Sequence, residues 1–226
     1  KISEREIKAL EDDEVLSMLD AVSKGIGLTP HERVYWEKTK KRDKTILILF
    51  LTYGLRLSEL QQLNISSFNF TREEFKIYRK RGKESTMPLN KSVTKVIIDY
   101  INNERRTDDV LEPSHKDALF LSLQGKRMTQ RQIRDLVKKY TSIALKTSRS
   151  AGYSPHKLRA TAATSLIGRG NSIYDVAALL DHEQVTTTQL YAKHRANVKR
   201  NLVSGMEWEE ERLDVNSKEA QKESED

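Results

Sequence analysis

Six consecutive apolar residues in the first quarter of the chain constrain its fold more than any other feature. Residues 46–51 read Ile-Leu-Ile-Leu-Phe-Leu, and they continue a helical pattern that starts at Thr29-Pro30. Threonine is a favoured helix cap, and proline suits the first helical position. A helix that is apolar on all sides is buried on all sides, and this run is far too short to span a bilayer. We therefore predict that residues 46–51 form a buried central helix.

The charge distribution favours a polyanionic partner. The 226 residues carry a net charge of +7. Residues 207–226 contain nine acidic and three basic side chains, so residues 1–206 carry +13. Excess basic charge also occurs on solvated helix faces, but a basic domain is typical of proteins that bind nucleic acid. We predict one folded domain at 1–206 and an acidic, disordered tail at 207–226.

The absence of cysteine from the sequence narrows the class of protein. It excludes a disulfide scaffold and a zinc site built on thiolates, and it is consistent with a cytoplasmic protein. We expect no contact with a membrane.

The apolar pattern changes its period between residues 65 and 89. Apolar residues alternate with polar ones on both sides of a polar turn at 71–74, and a second turn at 79–84 is rich in bases, among them Lys80 and Arg81. Such a basic turn is either solvated or binds phosphates without specificity. We predict a small three-stranded antiparallel sheet here.

Helix signals surround this sheet. A capping box at residues 3–6 predicts a first helix to about Val22, and Asn90 predicts the start of another helix after the sheet. Thr129 opens a helix to about Leu145, whose bases are placed to line a DNA groove: Arg131, Arg134, Lys138 and Lys139. The predicted fold class is mainly α with a small three-stranded antiparallel β-sheet.

Two basic residues lie together at the start of a helix near residue 155. Ser154 is a favoured cap and Pro155 suits the first position, so His156 falls in the first turn, where free N–H groups attract anions. Arg159 follows three residues later and therefore lies on the same helix face. We predict that both side chains face one anion.

A tyrosine follows this pair at a distance that permits return to the same pocket. His182 comes just beyond the next predicted helix, and Tyr191 lies nine residues later. A phenol is a weak nucleophile at neutral pH, but it attacks phosphorus when cationic donors hold an anionic target beside it. The product would be a phosphotyrosine ester, which stores the energy of the broken DNA bond and allows rejoining without ATP.

These residues resemble the second half of the tyrosine recombinase signature, of the phage integrase and Xer type. The family pattern is His-x-x-Arg, then Leu-Gly-His, then Tyr, with the spacing from histidine to tyrosine that is present here. Asp181 stands where the family usually has glycine. Aspartate adopts the left-handed conformation more readily than most residues, so we expect the turn to be retained.

The segment Gly54-Leu55-Arg56-x-x-Glu59-Leu60 resembles the first box of the same family. Spacing alone predicts a helix-end ion pair between Arg56 and Glu59. The resemblance implies in addition that Arg56 binds the scissile phosphate while Glu59 holds the helix. It also implies that a hairpin lysine serves as general acid. Lys83 fits that position best, and Lys80 is the alternative because the usual Gly-Lys-Gly-x-Lys is here Arg-Lys-Arg-Gly-Lys.

The resemblance implies the catalytic domain of a site-specific DNA recombinase over about residues 3–206. Such an enzyme cleaves and rejoins DNA through a 3′-phosphotyrosyl intermediate and a Holliday junction, in DNA integration, excision or chromosome dimer resolution. It needs no cofactor and no metal. Its implied partners are a double-stranded recombination site and further copies of itself in a tetrameric synapse. The family's N-terminal core-binding domain has no counterpart in these 226 residues, so we expect the chain to be a fragment.

Two other functions share parts of this pattern. A type IB topoisomerase uses the same nucleophile and basic set to relax supercoils, and a non-catalytic relative would bind DNA only. An apolar stripe after the tyrosine, at Val198, Leu202, Val203 and Met206, favours a recombinase, because the family passes such a helix to the next subunit. We expect residues of about 197–206 to dock on a neighbouring protomer. The alternative is that they fold back on their own domain.

Overall fold

The computed structural model describes residues 8–79, 82–106, 110, 112–181 and 203–204. Several predicted features lie outside these ranges. They are Lys80, Arg81, His182, Tyr191, the tail at 207–226 and most of the segment at about 197–206.

Within the described residues, the chain forms eight α-helices and one three-stranded sheet, so the predicted fold class is confirmed. The helices are α1 (Asp12–Lys24), α2 (Pro30–Trp36), α3 (Lys40–Tyr53), α4 (Leu57–Gln61), α5 (Lys91–Asn103), α6 (Gln130–Ala144), α7 (Pro155–Gly168) and α8 (Ile173–Leu180). The strands are β1 (Phe68–Asn69), β2 (Glu74–Tyr78) and β3 (Glu84–Pro88). Short 3-10 helices occur at Ile65–Ser67, Pro113–His115 and Arg149–Ala151.

Helix α3 is the buried central helix that the apolar run predicts. Ten of its fourteen residues are buried, and it packs against α1, α5 and α7. Its polar first turn is held by Glu104, whose carboxylate accepts hydrogen bonds from the backbone N–H groups of Lys41 and Arg42 at 2.9 and 2.7 Å. No helix within the described ranges has both the length and the apolar character needed to cross a membrane.

Two predicted helix boundaries are wrong. The first helix does not continue from residues 3–6, because residues 8–10 are non-helical and α1 begins after Glu11, whose side chain forms a capping box with Glu14. The predicted helix from Thr29 to the apolar run is divided into two, since α2 ends at Trp36 and α3 starts at Lys40. The indole Nε1 of Trp36 donates to the carbonyl of Val22 at 2.7 Å, which ties α2 to α1.

The sheet is antiparallel in the order β1-β2-β3, as predicted. Phe75 on β2 pairs with Phe68 and Met87 and stacks its ring edge-on against Tyr53, with 4.9 Å between ring centroids. The Tyr53 hydroxyl donates to the carbonyl of Pro88 at 2.7 Å. These contacts place the β2–β3 hairpin beside the C-terminal end of α3.

Part of the C-terminal segment packs on its own domain. Val203 is 1% exposed within the hydrophobic core, and the Asn90 side-chain amide donates to its carbonyl at 2.9 Å. In the single chain Val203 therefore lies on its own domain, and docking of this segment on a neighbouring protomer stays a prediction. The physical reason is that an apolar side chain gains free energy by burial even when no neighbouring protomer is present.

Candidate active site

The turn between α3 and α4 brings the ends of two helices together. Gly54 ends α3 with φ of 56°, in the left-handed region that glycine adopts without strain. A Cβ atom at this position would lie 2.5 Å from Cδ2 of Leu180. A larger residue would therefore strain the left-handed backbone and displace the Leu180 side chain where α8 approaches the C-terminal end of α3.

Arg56 follows this turn at the N-cap position of α4. Glu59, which is 3% exposed, accepts from the backbone N–H of Arg56 and from its Nη1 atom, both at 2.8 Å. The arginine side chain remains 36% exposed. The predicted ion pair is present, and it leaves one side of the guanidinium open to a ligand.

Arg159 on α7 spans the same two helix ends. Its Nη1 donates to the carbonyl of Gly54 and its Nη2 to the carbonyl of Leu180, each at 2.5 Å. A planar guanidinium satisfies two carbonyls at fixed separation, which a single ammonium group does not. Arg159 is 8% exposed, so its orientation is set by these contacts.

The C-terminal turn of α8 binds three arginines through three consecutive carbonyls. Leu179 accepts from Arg79 at 3.0 Å, Leu180 accepts from Arg159, and Asp181 accepts from Arg56 Nη2 at 3.2 Å. The last carbonyls of a helix lack helical partners and carry partial negative charge, so cations are favoured there. Asp181 has φ of 55° and ψ of 51°, which confirms that the turn is retained with aspartate in place of glycine.

Arg56 and Arg159 share a cleft of about 530 Å³ with His156. His156 is exposed in the first turn of α7, and the predicted convergence of His156 and Arg159 is present. Ser154 has the extended backbone of an N-cap, but its hydroxyl makes no capping hydrogen bond. The other residues that line the cleft are Leu55, Leu57, Arg134, Ser154 and Pro155.

The electrostatic arrangement of the cleft favours an anion. Burial, and then the positive charge of Arg56, lower the pKa of Arg159 to about 10, while Glu59 and Asp181 act in the opposite direction. The guanidinium therefore remains charged at neutral pH. Two cations held close together in a partly buried site are relieved by a bound anion such as a phosphate.

The β2–β3 hairpin adds two further cations at the end of α8. Arg79 Nη1 lies 3.6 Å from Asp181 Oδ2, and Lys83 Nζ lies 4.0 Å from Asp181 Oδ1. Arg79 is buried, whereas the Lys83 side chain is 58% exposed. Lys83 thus lies beside the side chain of Asp181, whose carbonyl holds Arg56.

The four bases predicted on α6 have different surroundings. Arg134 lines the cleft with His156, whereas Arg131 is exposed and lies 3.9 Å from Asp135. Lys138 is half-buried. Lys139 is directed to the buried carboxylate of Asp43, with 3.6 Å between Nζ and Oδ2, and lies over the Tyr140 ring. Its ammonium therefore has a partner within the domain.

Arg79 is the residue at the site that sequence reasoning missed. Phe75 and Ile77 face the core from β2, and the alternation of a strand places residue 79 in the same register. An arginine in an inward-facing register indicates a buried charge with a partner. The inward-facing register of Arg79 can be recognised from the sequence. Its partner at the C-terminal end of α8 cannot.

Within the described ranges, no group of three or more histidine, aspartate or glutamate side chains is arranged to hold a metal ion.

Comparison with known proteins places these observations in a family. Residues 8–197 match the phage integrase family. The chain is 35% identical to tyrosine recombinase XerD of Staphylococcus haemolyticus over 150 residues, which is 66% of this chain and 49% of that protein. It is 33% identical to tyrosine recombinase XerC of Chlamydia trachomatis over 161 residues, which is 71% of this chain and 49% of that protein. The chain thus spans about half the length of these curated relatives.

Solved structures with the same fold include XerA recombinase, with a TM-score of 0.60 and 22% identity over 87% of this chain and 64% of that one. XerH recombinase bound to its difH substrate, before cleavage, has a TM-score of 0.60 and 21% identity over 78% of this chain and 47% of that one. The Tn1549 transposon integrase with circular intermediate DNA has a TM-score of 0.60 and 20% identity over 85% of this chain and 66% of that one.

Proposed function

Because this chain belongs to the phage integrase family, we propose that it is the catalytic domain of a site-specific tyrosine recombinase. The domain would break and rejoin DNA strands through a 3′-phosphotyrosyl intermediate, without a nucleotide or a metal. The curated relatives named XerD and XerC support this proposal.

One observation carries the proposal. Arg56 and Arg159, from segments more than 100 residues apart, are anchored on consecutive carbonyls of α8 and share one cleft with His156. Three basic side chains that converge in this way are suited to the non-bridging oxygens of a phosphodiester, whose charge increases in the transition state. The chain continues from Asp181 directly to His182, so the same turn that holds the arginines leads to the fourth basic residue of the motif.

The proposed reaction exchanges one ester bond for another. The phenol oxygen of Tyr191 attacks the scissile phosphorus and releases its proton to water, and the bond from phosphorus to the 5′ oxygen breaks. Lys83, or alternatively Lys80, gives a proton to the departing 5′ oxygen. Four basic side chains stabilise the negative charge of the phosphorane-like transition state, those of Arg56, Arg159, His156 and His182. The reverse attack by a 5′ hydroxyl rejoins the strand, since the energy of the original bond remains in the phosphotyrosine.

We further propose that DNA reaches this cleft beside the bases of the hairpin and of α6. Arg134 supports this placement because it lines the cleft itself. The curated relatives are bacterial enzymes by their source, and we propose a cytoplasmic site of action on chromosomal or mobile DNA.

We also propose that copies of the chain assemble on DNA, up to a tetramer, by exchange of the C-terminal segment. The pocket that receives Val203 of the same chain is complementary to Val203 of a neighbour, so exchange would keep the contacts that are already observed. The segment directly follows Tyr191 in sequence, and its exchange would tie placement of the nucleophile to assembly.

A covalent trapping experiment tests the proposed function. The protein is incubated with a nicked suicide substrate, from which the cleaved 5′ fragment diffuses away, and the adduct is detected by a shift in denaturing electrophoresis. Wild-type protein should form the adduct, and Tyr191→Phe, which keeps the ring without the hydroxyl, should bind the same DNA and form none. An adduct from Tyr191→Phe would exclude this nucleophile. Supercoil relaxation without recombination between two sites would indicate a topoisomerase instead.

A further inference from the structure

Two departures from the family pattern meet in this structure. Arg79 and Asp181 each stand where the family usually has glycine, and Arg79 Nη1 lies 3.6 Å from Asp181 Oδ2. We infer that Arg79 and Asp181 are a positioning pair that fixes the lysine-bearing hairpin against the C-terminal turn of α8 for departure of the 5′ oxygen. This inference rests on the proposed function.

The Arg79 side chain is held in place by contacts with β3 and α8. It extends β2 in the register of the buried Phe75 and Ile77, and its side chain is 3% exposed. Nη2 donates to the carbonyl of Leu179 at 3.0 Å and lies 3.7 Å from the sulfur of Met87. The guanidinium thus connects both strands of the hairpin to α8, and its surroundings leave it little freedom to rotate.

The hairpin turn is attached to Arg79 through its backbone. Arg79 N–H donates to the carbonyl of Lys83 at 2.8 Å, and Gly82 N–H donates to the carbonyl of Arg79 at 3.1 Å. Gly82 has φ of 72°, which permits this tight turn. Lys80 follows Arg79 directly in sequence. The contacts that fix Arg79 therefore also restrict the position of Lys83.

Asp181 supplies the opposing charge from α8. Its side chain is 29% exposed and lies between two cations, at 3.6 Å from Arg79 Nη1 and 4.0 Å from Lys83 Nζ. These distances are those of ionic contacts and exceed those of hydrogen bonds. Because Arg79 is buried, its attraction to the carboxylate is screened less than that of an exposed pair. The Asp181 carbonyl also holds Arg56, so one residue joins the hairpin to the phosphate-binding arginines.

A glycine pair at these positions would provide neither contact. It would leave the hairpin joined to α8 by its neighbours alone, with the lysine free to move relative to Arg56 and Arg159. A misplacement of about 1 Å in a catalytic group costs roughly 100-fold in rate. The opposite role for Asp181 predicts the opposite result. If its carboxylate competed with the phosphate for Lys83, it would slow cleavage, and removal of the carboxylate would accelerate cleavage.

Two matched substrates separate a positioning role from a general structural one. Single-turnover cleavage is measured on suicide DNA with a normal 5′-bridging oxygen and on the same DNA with a 5′-bridging sulfur, which departs without a proton. Asp181→Asn keeps the size and turn preference of the side chain but removes its charge. Asp181→Asn and Arg79→Met should each cleave the oxygen substrate about 10- to 100-fold more slowly. Both should cleave the sulfur substrate within about threefold of wild type, because no general acid is needed.

Coupling between the two residues provides a second readout. If they act as one unit, the double variant should be no slower than the slower single variant, since each change removes the same interaction. Glu84→Gln is the matched control. It breaks the ion pair between Glu84 Oε1 and Lys76 Nζ, 2.8 Å long, on the exposed face of the same hairpin, and should leave both rates unchanged.

The outcomes are distinguishable from failure of the proposed function. If wild-type protein cleaves neither substrate, the proposed function itself is wrong. If wild type cleaves and Asp181→Asn is equally fast or faster on the oxygen substrate, the positioning pair is excluded, and a faster rate assigns Asp181 as a competitor of the phosphate. Equal losses of cleavage rate on the oxygen and sulfur substrates would also overturn the inference of a positioning pair. Should Asp181→Asn lose its folded circular dichroism spectrum, Asp181→Gly, which adopts a positive φ without strain, decides by the same criteria.

Discussion

Arg159 shows at the scale of one residue how a buried charge is retained for chemistry. A guanidinium that is 8% exposed and lies beside Arg56 is held in an unfavourable environment, which is the reason for its lowered pKa. Hydrogen bonds to two carbonyls replace those that the guanidinium would make to water, and neither carbonyl neutralises the positive charge. The residual charge is available to an incoming phosphate. A hydrophobic residue at this position would leave both carbonyls without their donor and would bind no anion.

Substitution of single lysines in the β2–β3 hairpin identifies the general acid. Lys83→Ala should slow cleavage of the ordinary phosphodiester by roughly 10²–10⁴-fold, because the 5′ oxygen must then depart without a proton. A substrate with a 5′-bridging sulfur should restore the rate. Lys80→Ala is the matched comparison in the same turn. If the sulfur substrate restores the rate of Lys80→Ala and not that of Lys83→Ala, the general acid is Lys80.

At the scale of elements, the contact between the ends of α3 and α8 determines the geometry of the site. A Cβ atom at Gly54 would lie 2.5 Å from Cδ2 of Leu180, so the leucine side chain would have to move to accommodate it. The carbonyls of both residues then bind one guanidinium, that of Arg159. Helix packing and arginine placement are therefore a single structural feature.

Gly54→Ala should lower stability and activity together. Both Gly54 and Gly170 have positive φ, but a Cβ at Gly170 meets no atom within 4 Å. Gly170→Ala should cost about 1 kcal/mol for the left-handed backbone alone, and Gly54→Ala about 2–4 kcal/mol because Leu180 must also move. Urea denaturation measures both values. Only Gly54→Ala should slow single-turnover cleavage, and equal effects of the two changes would contradict this account.

The link between α2 and the loop before α7 predicts a dependence of stability on pH. A hydrogen-bonded ion pair with Arg149, at 2.8 Å between Nε and Glu32 Oε1, lowers the pKa of Glu32 from 4.5 to about 2. The folded-state pKa is below the unfolded one, so the stabilisation is present above pH 4.5 and is lost as the pH falls towards 2. Because the Arg149 side chain is 39% exposed, solvent screening limits it to about 1 kcal/mol.

Melting temperatures between pH 7 and pH 3 test this link. Glu32→Gln should melt below wild type at pH 7, and the difference should shrink as the pH falls through 4.5. Glu37→Gln removes an exposed ion pair with Lys40 and should differ little from wild type at any pH. A difference for Glu32→Gln that stays constant with pH would show that the ion pair is not its cause.

At the scale of the whole molecule, the C-terminal segment connects folding to assembly. Truncation after Lys193 removes the buried Val203 and the acceptor of Asn90, and should cost about 2 kcal/mol while the domain remains folded. It should also weaken association of protomers on DNA, measured by analytical ultracentrifugation with a recombination site. A chain that ends at Met206 lacks only the acidic tail and should associate normally. Complete unfolding of the shorter chain, or unchanged association, would exclude exchange of this segment.

Much of the local structure follows from the sequence alone, for a physical reason. Helix starts at Thr29, Asn90 and Thr129 depend on hydrogen bonds to N–H groups three residues later, so nearby residues are sufficient to predict them. The left-handed turn at Asp181 and the alternation of β2 are equally local. The sequence also contains the motif residues in family order. Of these, the structure brings Arg56, His156 and Arg159 into one cleft, while Tyr191 and His182 remain predictions.

Only the tertiary structure decided which partners these residues have. Arg159 and Gly54 are 105 residues apart, and Arg79 and Leu179 are 100 apart, so no local pattern indicates that they meet. The same is true of Lys139, which a helix pattern places towards DNA and the folded chain places on Asp43. A charged side chain takes the nearest opposite charge or free carbonyl that packing provides, and packing depends on every element at once. The sequence therefore determined the chemical groups and their order, and the packing of α3, α7 and α8 determined the site that they form.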